Sequence, residues 1–150
     1  TILRVVNYPP LITDQPPDRI RAAAHEDINL ITLLCGATAE GLEIMDQNGS
    51  WIPISANHEY IIVDSGDMIQ NLTNGLFKST THRVINPQDV TSSRFSIPMF
   101  VHPRNEIDLS PRQEFLDKTG NELRYESMTA GDYLYRRLQE IGLVNEENSQ

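Results

Sequence analysis

Apolar residues come in short runs along this chain, each closed by turn-forming residues. Runs fall at 28–35, 41–45, 51–54, 59–63, 67–72, 82–86 and 94–101. Several are only five or six residues long, an ordinary strand length. Between them stand Gln47-Asn48-Gly49, Asp64-Ser65-Gly66-Asp67, Asn74-Gly75 and Asn86-Pro87, residue types that favour turns. An earlier segment, 2–8, is rich in branched aliphatics and ends at Pro9-Pro10, which stops a strand. Residues 11–24 contain Asp14, Pro16 and Pro17 and read as a loop, to which Arg21-Ala22-Ala23-Ala24 could add a helical turn. Many short strands at near-regular spacing predict a mainly β protein, a sandwich or double-sheet barrel.

The pattern changes after Pro103. Residues 104–127 are polar and irregular, with a short helix expected near 111–118. A helix is predicted over 129–141, where Leu134, Leu138 and Ile141 recur at helical spacing, Thr129 is the candidate N-cap and Gly142 the stop. Residues 145–150 read as a frayed acidic tail. The division is therefore a β core over 1–103 and a C-terminal extension over 104–150. Thr1 leads straight into an apolar run, which raises the expectation that the chain is a piece of something longer.

Composition narrows the function. Twelve basic and 21 acidic side chains give a formal charge of −9, the wrong sign for a general phosphate-backbone binder. Hydrophobic residues make up 39% and charged residues 22%, which fits a globular domain and not a disordered tail. No apolar run approaches the ~18 residues of a membrane helix. A single cysteine, Cys35, excludes an internal disulfide and a multi-cysteine zinc site. A cytoplasmic setting and a small-molecule partner, with no nucleic acid or membrane, are expected. Cys35 itself is expected to be buried as a small hydrophobe.

The candidate chemistry starts at His25-Glu26-Asp27. On an extended segment residues two apart face the same way, so imidazole and carboxylate would meet at one spot while Glu26 points away. Alone, such a pair is common by chance. A third ligand from a distant strand would complete a two-histidine, one-carboxylate face, which leaves three positions open on an octahedral iron. His82 is the best candidate. Zinc is the other option, although a structural zinc site here would lack thiolates and a fourth ligand. His58 and His102 lie beside turns and are read as non-ligands. Asp67 and Asn74 are read as turn formers, Lys78 as solvated, and Trp51 as packing on an outer sheet surface.

Twelve residues past His82 lies Arg94-Phe95-Ser96. Arg94 and Ser96 share a face in an otherwise apolar run, and a buried guanidinium needs an anionic partner. One partner is a small dicarboxylate reaching across from the metal, held by the planar guanidinium fork and a serine hydroxyl. The other is an internal carboxylate, which these three residues taken alone favour.

The ordered series resembles the 2-oxoglutarate and Fe(II)-dependent dioxygenases, in their isopenicillin N synthase-like branch. It runs through Asn7-Tyr8-Pro9-Pro10, His25-Glu26-Asp27, Leu30-Ile31-Thr32-Leu33-Leu34, Gly41-Leu42-Glu43-Ile44 and Gly49-Ser50-Trp51-Ile52. It continues with Gly66-Asp67, Leu72-Thr73-Asn74-Gly75, Lys78-Ser79, His82-Arg83-Val84, Arg94-Phe95-Ser96 and Phe100. No single piece is specific, but the order is, and it spans roughly 4–103.

The resemblance implies a double-stranded β-helix, or jelly roll, followed here by a C-terminal helix. It implies iron held by His25, Asp27 and His82. It implies that the far carboxylate of 2-oxoglutarate meets Arg94 and Ser96, with help from Tyr8, and that Phe100 lines the substrate pocket. Fe(II), 2-oxoglutarate and O2 are then the cofactor and co-substrates, and hydroxylation or desaturation of a small organic substrate, with release of succinate and CO2, is the reaction. Members usually carry a longer N-terminal region that backs one sheet. Two departures stand out, Val6 and Asp64, where many plant members have asparagine; neither is expected to touch the metal set. Two other functions stay open: an oxidase like isopenicillin N synthase that uses no 2-oxoglutarate, and a non-catalytic jelly-roll binding module.

Overall fold

Alternation is strongest over 94–101, and the computed structural model has its longest described strand there. Along that strand Arg94, Ser96 and Pro98 are buried while Phe95 and Ile97 are exposed, the period of two that a sheet with one covered face imposes. The structure describes residues 1–11, 20–55, 59–86, 89 and 91–144. Asp14, Pro16 and Pro17 of the expected loop, His58, Pro87 and the tail from Asn145 to Gln150 lie outside the described residues.

The strands are β1 (Ile2–Leu3), β2 (Val6–Tyr8), β3 (Ala22–His25), β4 (Ile31–Cys35), β5 (Leu42–Met45), β6 (Trp51–Pro53), β7 (Ile61–Ser65), β8 (His82–Val84) and β9 (Arg94–Val101). The helices are α1 (Asp67–Leu72), α2 (Gln113–Leu116) and α3 (Ala130–Glu140). A five-stranded sheet has the order β1-β9-β4-β7, with β2 also on β9; a four-stranded sheet has the order β3-β8-β5-β6. Every pairing is antiparallel. This is a double-stranded β-helix, as the strand pattern and the resemblance imply.

Three segments differ from the sequence expectation. Residues 2–8 form two strands rather than one. The division falls opposite Pro98, which accepts a hydrogen bond from Arg4 N at 2.9 Å and has no N–H to return. The alanines at 22–24 extend as β3 rather than turning as a helix, because Ala22 pairs with Val84 and His25 with His82; tertiary pairing overrides alanine's helix propensity.

Residues 67–72 are helix α1, not a strand. No side chain caps this helix. Instead Asp67 N donates to Asp27 O at 2.8 Å and Met68 N to Asn29 O at 3.1 Å, so the Asp27–Asn29 backbone satisfies two of the orphan donors of the first turn. A six-residue run with this composition does not distinguish strand from helix by period alone.

Cys35 is exposed, not buried. It lies on the outer face of the five-stranded sheet, where Ile61, Val63, Phe95 and Ile97 are also exposed. Trp51 sits on the edge strand β6 with the Arg83 guanidinium 4.0 Å from its ring centroid. Lys78 is exposed, as expected.

The C-terminal segment braces α1. Met68, Leu109 and Ala130 form a small buried core against which Leu30, Tyr133 and Leu134 pack. Asn71 Nδ2 donates to Leu109 O at 2.8 Å and to Glu126 O at 3.1 Å. Asn74 turns the chain at φ +53°, and it is also fully buried. Its Nδ2 donates to Thr119 Oγ1 and Glu122 O, and its Oδ1 accepts from Arg124 N. Asp67 meets Arg137 at 3.5 Å. Thr129 Oγ1 accepts from Asp132 N at 3.2 Å and so caps α3. That helix ends in paired bonds from Gly142 N to Gln139 O and Leu143 N to Leu138 O, with Gly142 at φ +74°, the left-handed stop that glycine permits.

Candidate metal centre and adjoining cavity

The pairing of β3 with β8 sets His25 opposite His82, with ring centroids 4.3 Å apart. His25 Nδ1 lies 2.7 Å from Ala23 O, and His82 Nδ1 lies 3.0 Å from Thr80 O. A carbonyl only accepts, so each Nδ1 carries a proton, and in the neutral ring Nε2 is then the nitrogen with the free lone pair. Both Nε2 atoms converge on Asp27 Oδ1, at 3.8 Å from His25 and 3.9 Å from His82. One ligand atom from each residue lies within 4.8 Å of the other two. Two imidazole nitrogens and one carboxylate oxygen this close together form a donor set that fits Fe(II) with open positions left over.

The surroundings of the triad hold residues that the sequence reading misses. Sequence reasoning sets Asp64 clear of the metal set, but its Oδ2 lies 3.4 Å from His82 Nδ1. The reason is that Ile62 and Asp64 share the inward face of β7 and both line the cavity. Burial pushes the Asp64 carboxyl up from its ordinary value, against the opposing pull of Thr80 and His82. Asp27 Oδ2 accepts from Thr32 Oγ1 at 2.5 Å, and Thr32 Oγ1 meets Asn29 Nδ2 at 2.7 Å. Strand alternation is the available signal for both Asp64 and Thr32: each is a polar residue at an inward position of an apolar strand. Glu26 turns away from the triad and accepts from Thr81 Oγ1 at 2.5 Å. His102 stands apart from the triad, with its Nδ1 3.2 Å from Phe100 O.

A cavity of about 550 Å³ adjoins the triad and lies between the sheets, with Leu34 and Ile62 on one wall and Ile44 and Val84 on the other. His25, Asp27, His82, Tyr8, Arg94, Ser96 and Phe100 all line it. The register of β9 explains this convergence: its inward residues are Arg94, Ser96, Pro98 and Phe100, and Tyr8 pairs directly with Arg94.

Arg94 is 1% exposed. Its Nε donates to Ala39 O at 3.1 Å, its Cζ lies 5.1 Å from the Tyr8 ring centroid, and Nη1 is buried with no hydrogen-bond partner. Burial pulls this guanidinium's pKa down. A buried charged donor left without an acceptor costs about 1–3 kcal/mol or more, and Arg94 lines the cavity. A carboxylate entering the cavity is such an acceptor, and the Ser96 hydroxyl lines the same space. The chemistry of these groups fits 2-oxoglutarate.

Comparison with known proteins agrees with this geometry. The family model for the 2OG-Fe(II) oxygenase superfamily matches residues 2–103. The 2-oxoglutarate-Fe(II) type oxidoreductase ppzD of Metarhizium rileyi is 36% identical over 124 residues, covering 79% of this chain and 35% of that protein. The 1-aminocyclopropane-1-carboxylate oxidase 1 of Malus domestica is 35% identical over 134 residues, covering 87% of this chain and 41% of that one. The crystal structure of a full-length Neurospora crassa protein in complex with alpha-KG superimposes with a TM-score of 0.83 at 30% identity, covering 93% of this chain and 44% of that chain. The chain thus spans less than half the length of these relatives.

Proposed function

Because the chain belongs to the 2OG-Fe(II) oxygenase superfamily, we propose that it acts as a non-haem Fe(II)- and 2-oxoglutarate-dependent dioxygenase. It hydroxylates or desaturates a small organic substrate and releases succinate and CO2. The observation that carries this reading is one cavity lined both by the His25, Asp27 and His82 cluster and by Arg94, whose buried Nη1 has no hydrogen-bond partner.

In this reading His25, Asp27 and His82 hold Fe(II). Arg94 and Ser96 hold the far carboxylate of 2-oxoglutarate, and Tyr8 flanks the guanidinium. Phe100 lines the substrate pocket. When bound, iron and 2-oxoglutarate together supply the activation of O2, coupled to decarboxylation of the keto acid. The chain's own part is geometric. The Ala23 and Thr80 carbonyls keep each Nδ1 protonated so that both Nε2 atoms stay free to bind. Arg94 orients the co-substrate through directional hydrogen bonds. Residues 1–103 are the catalytic core and 104–150 a C-terminal extension, whose described residues brace α1 through Leu109, Ala130 and Arg137.

No described helix is long and apolar enough to cross a membrane. The acidic balance of −9 and the single cysteine support a cytoplasmic protein that does not work on nucleic acid or a membrane surface.

The test is to measure O2 uptake and succinate release with Fe(II), with and without added 2-oxoglutarate. Succinate formation that depends on 2-oxoglutarate supports the reading. A second reading is an Fe(II) oxidase like isopenicillin N synthase that uses no 2-oxoglutarate; one of the relatives above is named an oxidase. Iron-dependent O2 uptake indifferent to 2-oxoglutarate would favour it.

A further inference from the structure

Asp27 presents its two oxygens to different neighbours. Oδ1 faces the His25 and His82 Nε2 atoms at 3.8 and 3.9 Å. Oδ2 faces away from them, toward the Thr32 hydroxyl at 2.5 Å. Thr32 is 5% exposed and Asn29 1%, so both donors are largely withdrawn from solvent.

The direction of each bond follows from what each group is able to do. A carboxylate poised to bind a metal only accepts. Thr32 has one hydroxyl proton, which therefore goes to Asp27 Oδ2. Its oxygen is then left as an acceptor, and Asn29 Nδ2 donates to it at 2.7 Å. The arrangement is a one-way relay from Asn29 to Thr32 to Asp27. The backbone on either side is fixed: Asp27 O accepts from Asp67 N, Asn29 O from Met68 N, and Leu30 O from Gly66 N. Thr32 itself sits in the middle of two strand pairings, opposite Asp64 on β7 and Phe100 on β9.

Resting on the reading of His25, Asp27 and His82 as the metal ligands, we infer that Thr32 is a positioning residue that occupies Asp27 Oδ2 and so leaves Oδ1 alone to bind the metal. Without the hydroxyl, Asp27 is free to rotate and offer both oxygens. A second carboxylate oxygen on the metal would take one of the positions that the co-substrate and O2 need. Thr32 thus sets the number of open positions without touching the metal, and Asn29 orients Thr32.

The experiment is anaerobic titration of the purified chain with Fe(II), and with Co(II) as a spectroscopic stand-in, for Thr32→Val, Thr32→Ala and Thr32→Ser. Binding is read by calorimetry, and the Co(II) visible spectrum reports coordination number. Valine keeps the shape and removes the hydroxyl. Losing an outer hydrogen bond to a ligand weakens metal binding by about 10–100-fold, so that loss is expected for Thr32→Val. It is expected together with a Co(II) spectrum altered from that of the unaltered chain. Thr32→Ser restores both. Thr32→Ala, which creates no new contact, should behave like Thr32→Val and serves if valine unfolds the chain. Equal affinity and identical Co(II) spectra for the unaltered, valine and alanine chains would overturn the inference and leave the metal site standing. Loss of affinity in the serine variant equal to that in valine would also overturn it, because that pattern marks packing and not the hydroxyl. No binding by the unaltered chain would sink the metal site itself and this inference with it.

Discussion

Gly66→Ala should cost the fold several kcal/mol and displace Asp27 of the proposed metal centre. A Cβ at this position would lie 2.8 Å from Asp27 O and closer still to Asn29 O and Asn29 Oδ1. Gly66 has φ −96° and ψ −177°, backbone that alanine adopts freely, so the cost is steric and not conformational. The crowded carbonyls cannot recede without loss, because Asn29 O accepts from Met68 N at 3.1 Å and Asp27 O from Asp67 N at 2.8 Å. Overpacking costs about 1–3 kcal/mol. Breaking two backbone hydrogen bonds adds about 0.5–1.5 kcal/mol each. The expected total is about 2–6 kcal/mol. Urea denaturation measures it as a lower midpoint at an unchanged slope. The same displacement moves Asp27, so Fe(II) affinity should fall in whatever fraction stays folded. An alanine variant within about 0.5 kcal/mol of the unaltered chain, the ordinary range for an innocuous surface change, would refute the argument that this close approach positions Asp27.

Arg94→Lys should weaken 2-oxoglutarate binding about tenfold or more, since lysine loses the planar fork and hydrogen bonds to charged groups are worth about 1.5–3 kcal/mol. Calorimetry of the Fe(II)-loaded protein reads this directly, and unchanged affinity would remove Arg94 from the co-substrate site. Leu109→Ala should lower stability by about 2–5 kcal/mol, because Leu109 is fully buried against Met68 and Ala130; an unshifted denaturation midpoint would show that the C-terminal brace contributes little. The Asp89 carboxyl should titrate at about 2 and not at its ordinary 3.8, held down by the Ser92 and Thr91 hydroxyls and the Thr91 N–H. Its contribution to stability is therefore present above pH 3.8 and lost as pH falls toward 2. Carboxyl NMR should show that midpoint rising in Ser92→Ala, and a midpoint near 3.8 in the unaltered chain would contradict it.

Legibility in the sequence follows strand alternation. At 94–101 the polar residues Arg94 and Ser96 share a parity, and the structure turns both into one cavity. The same rule separates His25 and Asp27 from Glu26. What stays hidden depends on contacts distant in sequence. Nothing local marks 67–72 as helical; the Asp27–Asn29 carbonyls decide it. The alanines at 22–24 have high helix propensity, and strand β8 overrides it. The division of 2–8 depends on Pro98, more than ninety residues away. Cys35 follows an apolar run, but its parity places it on the exposed outer face with Ile61. Asp64 and Thr32 are within reach of the alternation rule, since each breaks an apolar strand at an inward position. Their roles beside His82 and Asp27 require the register of β7 and β4.

The measurement that reaches the central claim most directly is an anaerobic titration of the chain with Fe(II) and then 2-oxoglutarate, followed by visible absorption. A metal-to-ligand charge-transfer band that needs both components, and is lost in His82→Ala, is the expected result. It would place iron and co-substrate together in the cavity shared by His25, Asp27, His82 and Arg94. Iron binding with no such band would contradict the 2-oxoglutarate assignment, and failure to bind iron would contradict the metal centre.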